Sequence, residues 1–154
     1  MLSGATRIYL APGRLYASAE AAQVTTILGS CVAVCLWAPE ERVGGINHFL
    51  LPEGMPRSAR FGADAVPLLI DHLVALGARP SGLRAQIFGG ASVLAAFQKD
   101  AVPLGARNVE VARARLRAAG IPVVGEDVGG ERGRKLVFEV QTGSTRSRII
   151  EVPR

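Results

Sequence analysis

One stretch limits what this chain can become. From Val24 to Pro52 it reads VTTILGSCVAVCLWAPEERVGGINHFLLP. An apolar run from Val32 to Ala38 is broken by Pro39, Glu40, Glu41 and Arg42, and a second apolar run goes from Val43 to Pro52. That is the pattern of two strands joined by a short polar turn. With the turn centred near Glu40 and Glu41, residues whose numbers sum to about 81 face each other across an antiparallel pair. Cys31 then lies opposite Leu50, and His48 opposite Ala33. Cys31 and His48 become diagonal neighbours on one face, with Cβ atoms roughly 7–8 Å apart. A slip of two residues would set them directly opposite. A slip of one would put them on opposite faces.

This juxtaposition carries chemistry. A free thiol is mostly protonated near neutral pH, and a neighbouring imidazole activates it by taking the proton. Gly29 and Ser30 lead into Cys31, and the backbone N–H groups of this turn are candidate donors to a developing oxyanion. One such donor is typically worth about 3 kcal/mol of barrier. Gly29 lets a substrate come close to the backbone. The plainer reading is a core cysteine and a hydrogen-bonded histidine on an apolar strand. Cys35 falls on the same strand face as Cys31 and reads as a small core residue. A structural zinc site needs four ligands, so it would require both Cys and both His of the chain to converge. No metal or cofactor is expected.

The segments TTILGSCVAVCLWAP and GGINHFLLP resemble the CheD family, the chemoreceptor glutamine deamidases of bacterial chemotaxis. The resemblance continues in FGADAV, IFGGASVL, LGARNVEVARARL and GEDVGG, in the family's order, and so spans nearly the whole chain. It implies a cysteine hydrolase that converts particular receptor glutamines to glutamates and releases ammonia. It places the catalytic cysteine on Cys31, the histidine on His48 and an orienting threonine on Thr25, six residues before the cysteine. The implied partners are receptor cytoplasmic helices as substrate, and a CheC-type chemotaxis phosphatase. In the alternative reading, the chain is chiefly a regulatory partner of that phosphatase. The implied fold is a layered sandwich similar to the catalytic domain of the cytotoxic necrotizing factor toxins.

Composition narrows the other classes. A chain of 154 residues is one domain of ordinary size, here 1–154, and buries a core without a disulfide or metal. Two cysteines on one strand make no useful staple, so a reducing cytoplasm is the expected setting. No segment is a bilayer span; the best window, Ala65 to Leu76, is interrupted by Asp71 and His72. The N-terminus lacks the sustained apolar core of a signal peptide. The net charge is +5, from 18 basic and 13 acidic residues, and Lys99 and Lys135 are the only lysines. With no helix-turn-helix, zinc-finger or RNA-binding aromatic pattern, the charge is read as surface solvation or complementarity to an acidic protein, not nucleic-acid binding.

The remaining elements follow from periodicity and punctuation. Arg7 to Leu10, Leu15 to Ala19 and Ala21 to Leu28 read as strands. The loop Pro52 to Arg60 either rims the site or simply connects. Phe61 to Leu76 has helical spacing, with Gly77 at its C-terminal cap and His72 favouring the helix dipole. Leu83 to Phe88 reads as a strand, Gly89-Gly90 as a tight turn, and Ala91 to Lys99 as a short helix; the resemblance, which carries a glycine pair here too, implies a backbone that passes close to something. Asn108 reads as the N-cap of a helix from Val109 to Ala119, with Arg113, Arg115 and Arg117 on its solvated face. Ile121 to Val124 is a strand and Glu126 to Gly133 a polar loop. Lys135 to Gln141 and Arg148 to Val152 form a hairpin about Thr142-Gly143-Ser144. About seven or eight strands and three helices, with hairpins at both ends, define an α/β (α+β) layered sandwich around a mixed, largely antiparallel sheet.

Overall fold

The computed structural model describes residues 5–92 and 102–151. Its strands are β1 (Thr6–Tyr9), β2 (Leu15–Ser18), β3 (Ala22–Leu28), β4 (Val32–Ala38), β5 (Val43–Asn47), β6 (Arg84–Gly89), β7 (Val123–Val128), β8 (Arg134–Glu139) and β9 (Thr145–Ile149). Two α-helices, α1 (Gly62–Ala75) and α2 (Leu104–Ala118), follow β5 and β6. A short 3-10 turn covers Pro80–Gly82.

The strands form two sheets, in the orders β1-β3-β8-β9 and β2-β5-β4-β6-β7. Most neighbours are antiparallel; β1 with β3 and β6 with β7 are parallel. The central strand β4 explains the layering. Every residue of it except Trp37 is buried, as expected of a strand covered on both faces. Its side chains divide by parity. Ala33 and Cys35 pack with Val24, Leu136 and Phe138 of the other sheet, while Val32, Val34 and Leu36 pack with Leu69, Leu73 and Leu116 of the helices. The result is three layers, sheet on sheet on helices, with a separate apolar core in each gap.

The β4–β5 hairpin takes the register whose numbers sum to 81, from Ala38 with Val43 to Cys35 with Ile46. At the next step the ladder opens. The Val34 N–H is satisfied by the Asn47 side chain at 2.8 Å, and Asn47 Nδ2 donates to the Ala65 carbonyl of α1 at 3.2 Å. Backbone pairing resumes between Val32 and Phe49. His48 therefore sits across from Ala33, on the same face as Cys31.

Several sequence expectations are corrected. Among the described residues there are two of the three expected α-helices; the third, read over 91–99, falls largely on 93–101, outside the described residues. The N-terminal strands are not a hairpin, since β1 and β2 join different sheets. Glu126 and Asp127 lie within β7, not in a loop, because pairing with Ile87 and Phe88 of β6 extends the strand through them. The last strand begins at Thr145 and pairs with Phe138 directly across the Gly143 turn. Helix α2 starts one turn earlier than expected: Pro103 is its N-cap, and Asn108 lies inside it, fully buried. Proline suits a helix start, and the buried face that Asn108 shares with Gly105, Val109, Ala112 and Leu116 overrides its capping propensity.

Candidate active site

Cys31 stands on the Gly29-Ser30-Cys31 turn that carries the chain from β3 in one sheet to β4 in the other. All three carbonyls of the turn are held. Gly29 O accepts from Ala91 N at 2.9 Å, Ser30 O from Asn108 Nδ2 at 2.9 Å, and Cys31 O from Gly90 N at 2.9 Å. The glycine pair after β6 makes this possible. Gly89 and Gly90 have φ of +104° and +71°, and a Cβ on Gly89 would lie 2.3 Å from Cys31 O. The close neighbour expected of the Gly-Gly turn is thus the Cys31 backbone. Gly29 is open instead: nothing lies within 4 Å of where its Cβ would be.

His48 is held by its backbone between the strands. Its N–H donates to Arg14 O at 3.1 Å, and its carbonyl accepts from Gly13 N at 2.7 Å. Its ring lies in the space between the sheets, 1% exposed. Nδ1 is 2.7 Å from Thr26 Oγ1, and Thr26 Oγ1 is 2.7 Å from the Leu10 carbonyl. These contacts fix the tautomer. A threonine has one proton to give, and a carbonyl can only accept, so the hydroxyl donates to Leu10 O. It must then accept from His48, which puts the imidazole proton on Nδ1. Nε2 is left with its lone pair, buried and without a hydrogen-bond partner among the described residues.

Burial sets the protonation states. It lowers the His48 pKa from 6.5 to about 4, so the ring is neutral near pH 7. Cys31 is half-buried; desolvation raises its thiol pKa, opposed by a hydrogen bond from its own backbone N–H. The resting pair is therefore thiol and neutral imidazole. Cys35 is fully buried among apolar side chains, which pushes its thiol pKa up strongly and leaves it inert.

Thr25 does not meet His48. Strand β3 alternates, with Ala22, Val24, Thr26 and Leu28 buried toward the other sheet while Gln23, Thr25 and Ile27 face outward. Thr25 lines a shallow outer groove with Gln23, Lys135, Val137, Arg146 and Arg148. The orienting hydroxyl that the resemblance placed on Thr25 belongs, in this geometry, to Thr26. The alternation of AQVTTIL held the signal, since the apolar parity of Ala22, Val24 and Leu28 includes Thr26. Asn108 was likewise missed as part of the site. Its sign was a polar residue within an otherwise apolar helical stripe. Among the described residues, no three His, Cys, Asp or Glu side chains converge as a metal site would require. Glu126 pairs with Arg113, Asp127 with Arg134, and His72 Nδ1 lies 2.8 Å from Leu68 O.

A half-buried thiol on a turn of held peptides shares a strand-pair face, one diagonal step away, with a buried neutral imidazole on an α+β frame. The chain belongs to the CheD family. The family profile described as CheD chemotactic sensory transduction matches residues 50–148. A protein of Anaeromyxobacter dehalogenans named probable chemoreceptor glutamine deamidase CheD 1 is 52% identical over 143 residues, covering 92% of this chain and 83% of that one. A protein of Trichlorobacter lovleyi named probable chemoreceptor glutamine deamidase CheD is 42% identical over 141 residues, covering 89% and 86%. Among solved structures, YlmD from Geobacillus stearothermophilus overlays with a TM-score of 0.49 at 16% identity, covering 82% of this chain and 60% of that one. No helix among the described residues is long and apolar enough to cross a membrane.

Proposed function

We propose that this chain, acting as one domain over 1–154, is a protein-glutamine deamidase that converts chemoreceptor glutamines to glutamates. Cys31 Sγ attacks the side-chain carbonyl carbon of the substrate glutamine as its proton passes to His48 Nε2. The carbonyl oxygen becomes an oxyanion facing the N–H groups of Ser30 and Cys31, beside the open position at Gly29. His48 returns the proton to the departing nitrogen, ammonia leaves, and a thioester remains on Cys31. Water then adds to the thioester, giving a proton to Nε2; the second intermediate collapses to glutamate, and the cysteine leaves and recovers that proton. Thr26 keeps the Nδ1–H tautomer throughout, so Nε2 is always the nitrogen that faces the reaction.

The observation that best supports this reading is the relay from Leu10 O through Thr26 to His48, which leaves Nε2 an unpartnered base on the face that Cys31 shares. The names of the relatives supply the substrate class. Two free cysteines, one of them the proposed nucleophile, fit a reducing compartment, and we place the reaction in the cytoplasm. A regulatory partnership with a CheC-type phosphatase is the second reading; no feature of the site favours it over hydrolysis.

Peptide mass spectrometry of a receptor cytoplasmic fragment tests the reading, after incubation with wild type, Cys31→Ala and His48→Ala. The expected result is glutamine-to-glutamate conversion at a few sites by wild type and none by either variant. Absence of conversion by reduced wild type on a cognate receptor would sink the reading, and conversion by Cys31→Ala would remove its central residue.

A further inference from the structure

Asn108 is fully buried on α2, yet none of its polar bonds serve the helix. Its Nδ2 donates both protons across the layer boundary, to Ser30 O at 2.9 Å and to Leu50 O at 3.0 Å. The first carbonyl belongs to the peptide that precedes Cys31. The second lies two residues after His48. Its Oδ1 is buried with no partner among the described residues. An aliphatic side chain would leave both carbonyls without this donor, so the amide is held here for its two bonds and not for packing alone. The helix is brought within reach by Gly105, one turn earlier, where a Cβ would lie 2.3 Å from Gly90 O.

A trans peptide is planar, and its C=O and N–H point in opposite directions. Holding the Ser30 carbonyl toward α2 therefore aims the Cys31 N–H away from the helices. That is the side on which the thiol packs, in the gap between the sheets.

We propose that Asn108 is a positioning residue of the deamidation reaction. Its one amide group sets the Ser30–Cys31 peptide so that the Cys31 N–H meets the oxyanion of the substrate glutamine, and it fixes the distance between the nucleophile turn and the strand end that carries His48. This inference rests on the deamidase reading.

The test compares wild type, Asn108→Ala, Asn108→Asp and the core control Leu116→Ala, by steady-state deamidation of a receptor fragment and by the pH dependence of Cys31 alkylation with iodoacetamide. The Asn108 variants are expected to lose about 10²-fold in kcat with KM changed less than about twofold, and to alkylate with a pH profile moved upward. Leu116→Ala, which loses stability from the same helix, keeps kcat per folded molecule and the wild-type profile. An Asn108 variant that melts lower but retains kcat and the profile would overturn the proposal. Should wild type deamidate nothing, the deamidase reading fails by itself, while the alkylation profiles still report whether Asn108 sets the Cys31 peptide. If neither Asn108 variant folds, NMR of wild type decides: the Asn108 side-chain amide signals shift when Cys31 is alkylated, and signals that stay in place would refute the coupling.

Discussion

At the scale of single residues, the two adjacent threonines are the sharpest test. Thr26→Val keeps the β-branched volume but leaves the His48 Nδ1–H and the Leu10 carbonyl without their shared partner. Each orphaned buried group costs roughly 1–3 kcal/mol, and the ring is free to take the other tautomer. The expected outcome is a kcat loss of about 10²-fold or more together with a lower melting temperature, by analogy with other losses of tautomer control. Thr25→Val changes an outward, half-exposed side chain and is expected to leave kcat within about twofold, as usual for surface substitutions. The reverse pattern in the same deamidation assay would return the orienting role to Thr25. The sequence left the register open and the family resemblance singled out Cys31 and His48; the observed register, with numbers summing to 81, sets the two on one face. Thr26 was legible only by parity, and the motif spacing pointed one residue away from it.

At the scale of elements, the site depends on turns whose chemistry local pattern reading catches only in part. The Gly89-Gly90 pair was recognisable as a tight turn, and the resemblance implied a close approach, but its neighbour was not legible, since that contact joins residues about sixty positions apart. The early start of α2 and the extension of β7 were hidden for the same reason: a buried stripe and a partner strand outweigh capping and loop propensities. A Gly89→Ala substitution tests the turn. Its Cβ would meet the Cys31 carbonyl at 2.3 Å, and φ of +104° disfavours any side chain. A loss of about 2 kcal/mol or more in urea unfolding is expected, with turnover reduced in the molecules that remain folded. Full stability and full turnover would mean that the turn does not brace the nucleophile.

For the whole molecule, burial of the site shapes stability against pH. His48 has a pKa of about 4 in the fold and 6.5 when unfolded. Between these values the unfolded chain binds a proton that the fold refuses, so stability falls as pH drops through this window, by at most about 3 kcal/mol, and this contribution is flat above it. The thiols act at the other end. Their pKa values are raised in the fold from 9.0, so the unfolded chain releases protons first and stability falls as pH rises past that value. Urea midpoints at pH 7 and pH 4.5 should show the acid loss in wild type, and less of it in His48→Gln. An equal loss in both would assign the acid limb to other groups. The layered class and the single apolar hairpin at its centre were legible in the sequence. The division into two sheets was not, because nothing local tells β1 and β2 that they will part.

That division has a further consequence. Thr26 comes from one sheet, His48 from the other, and Cys31 from the turn that crosses between them. The groups of the proposed site are thus mounted like the two jaws and the pivot of a calliper. A displacement of the sheets by about an ångström is enough to separate a hydrogen-bonded pair while leaving every strand intact. In the proposed reaction, turnover would then report how the two sheets are seated.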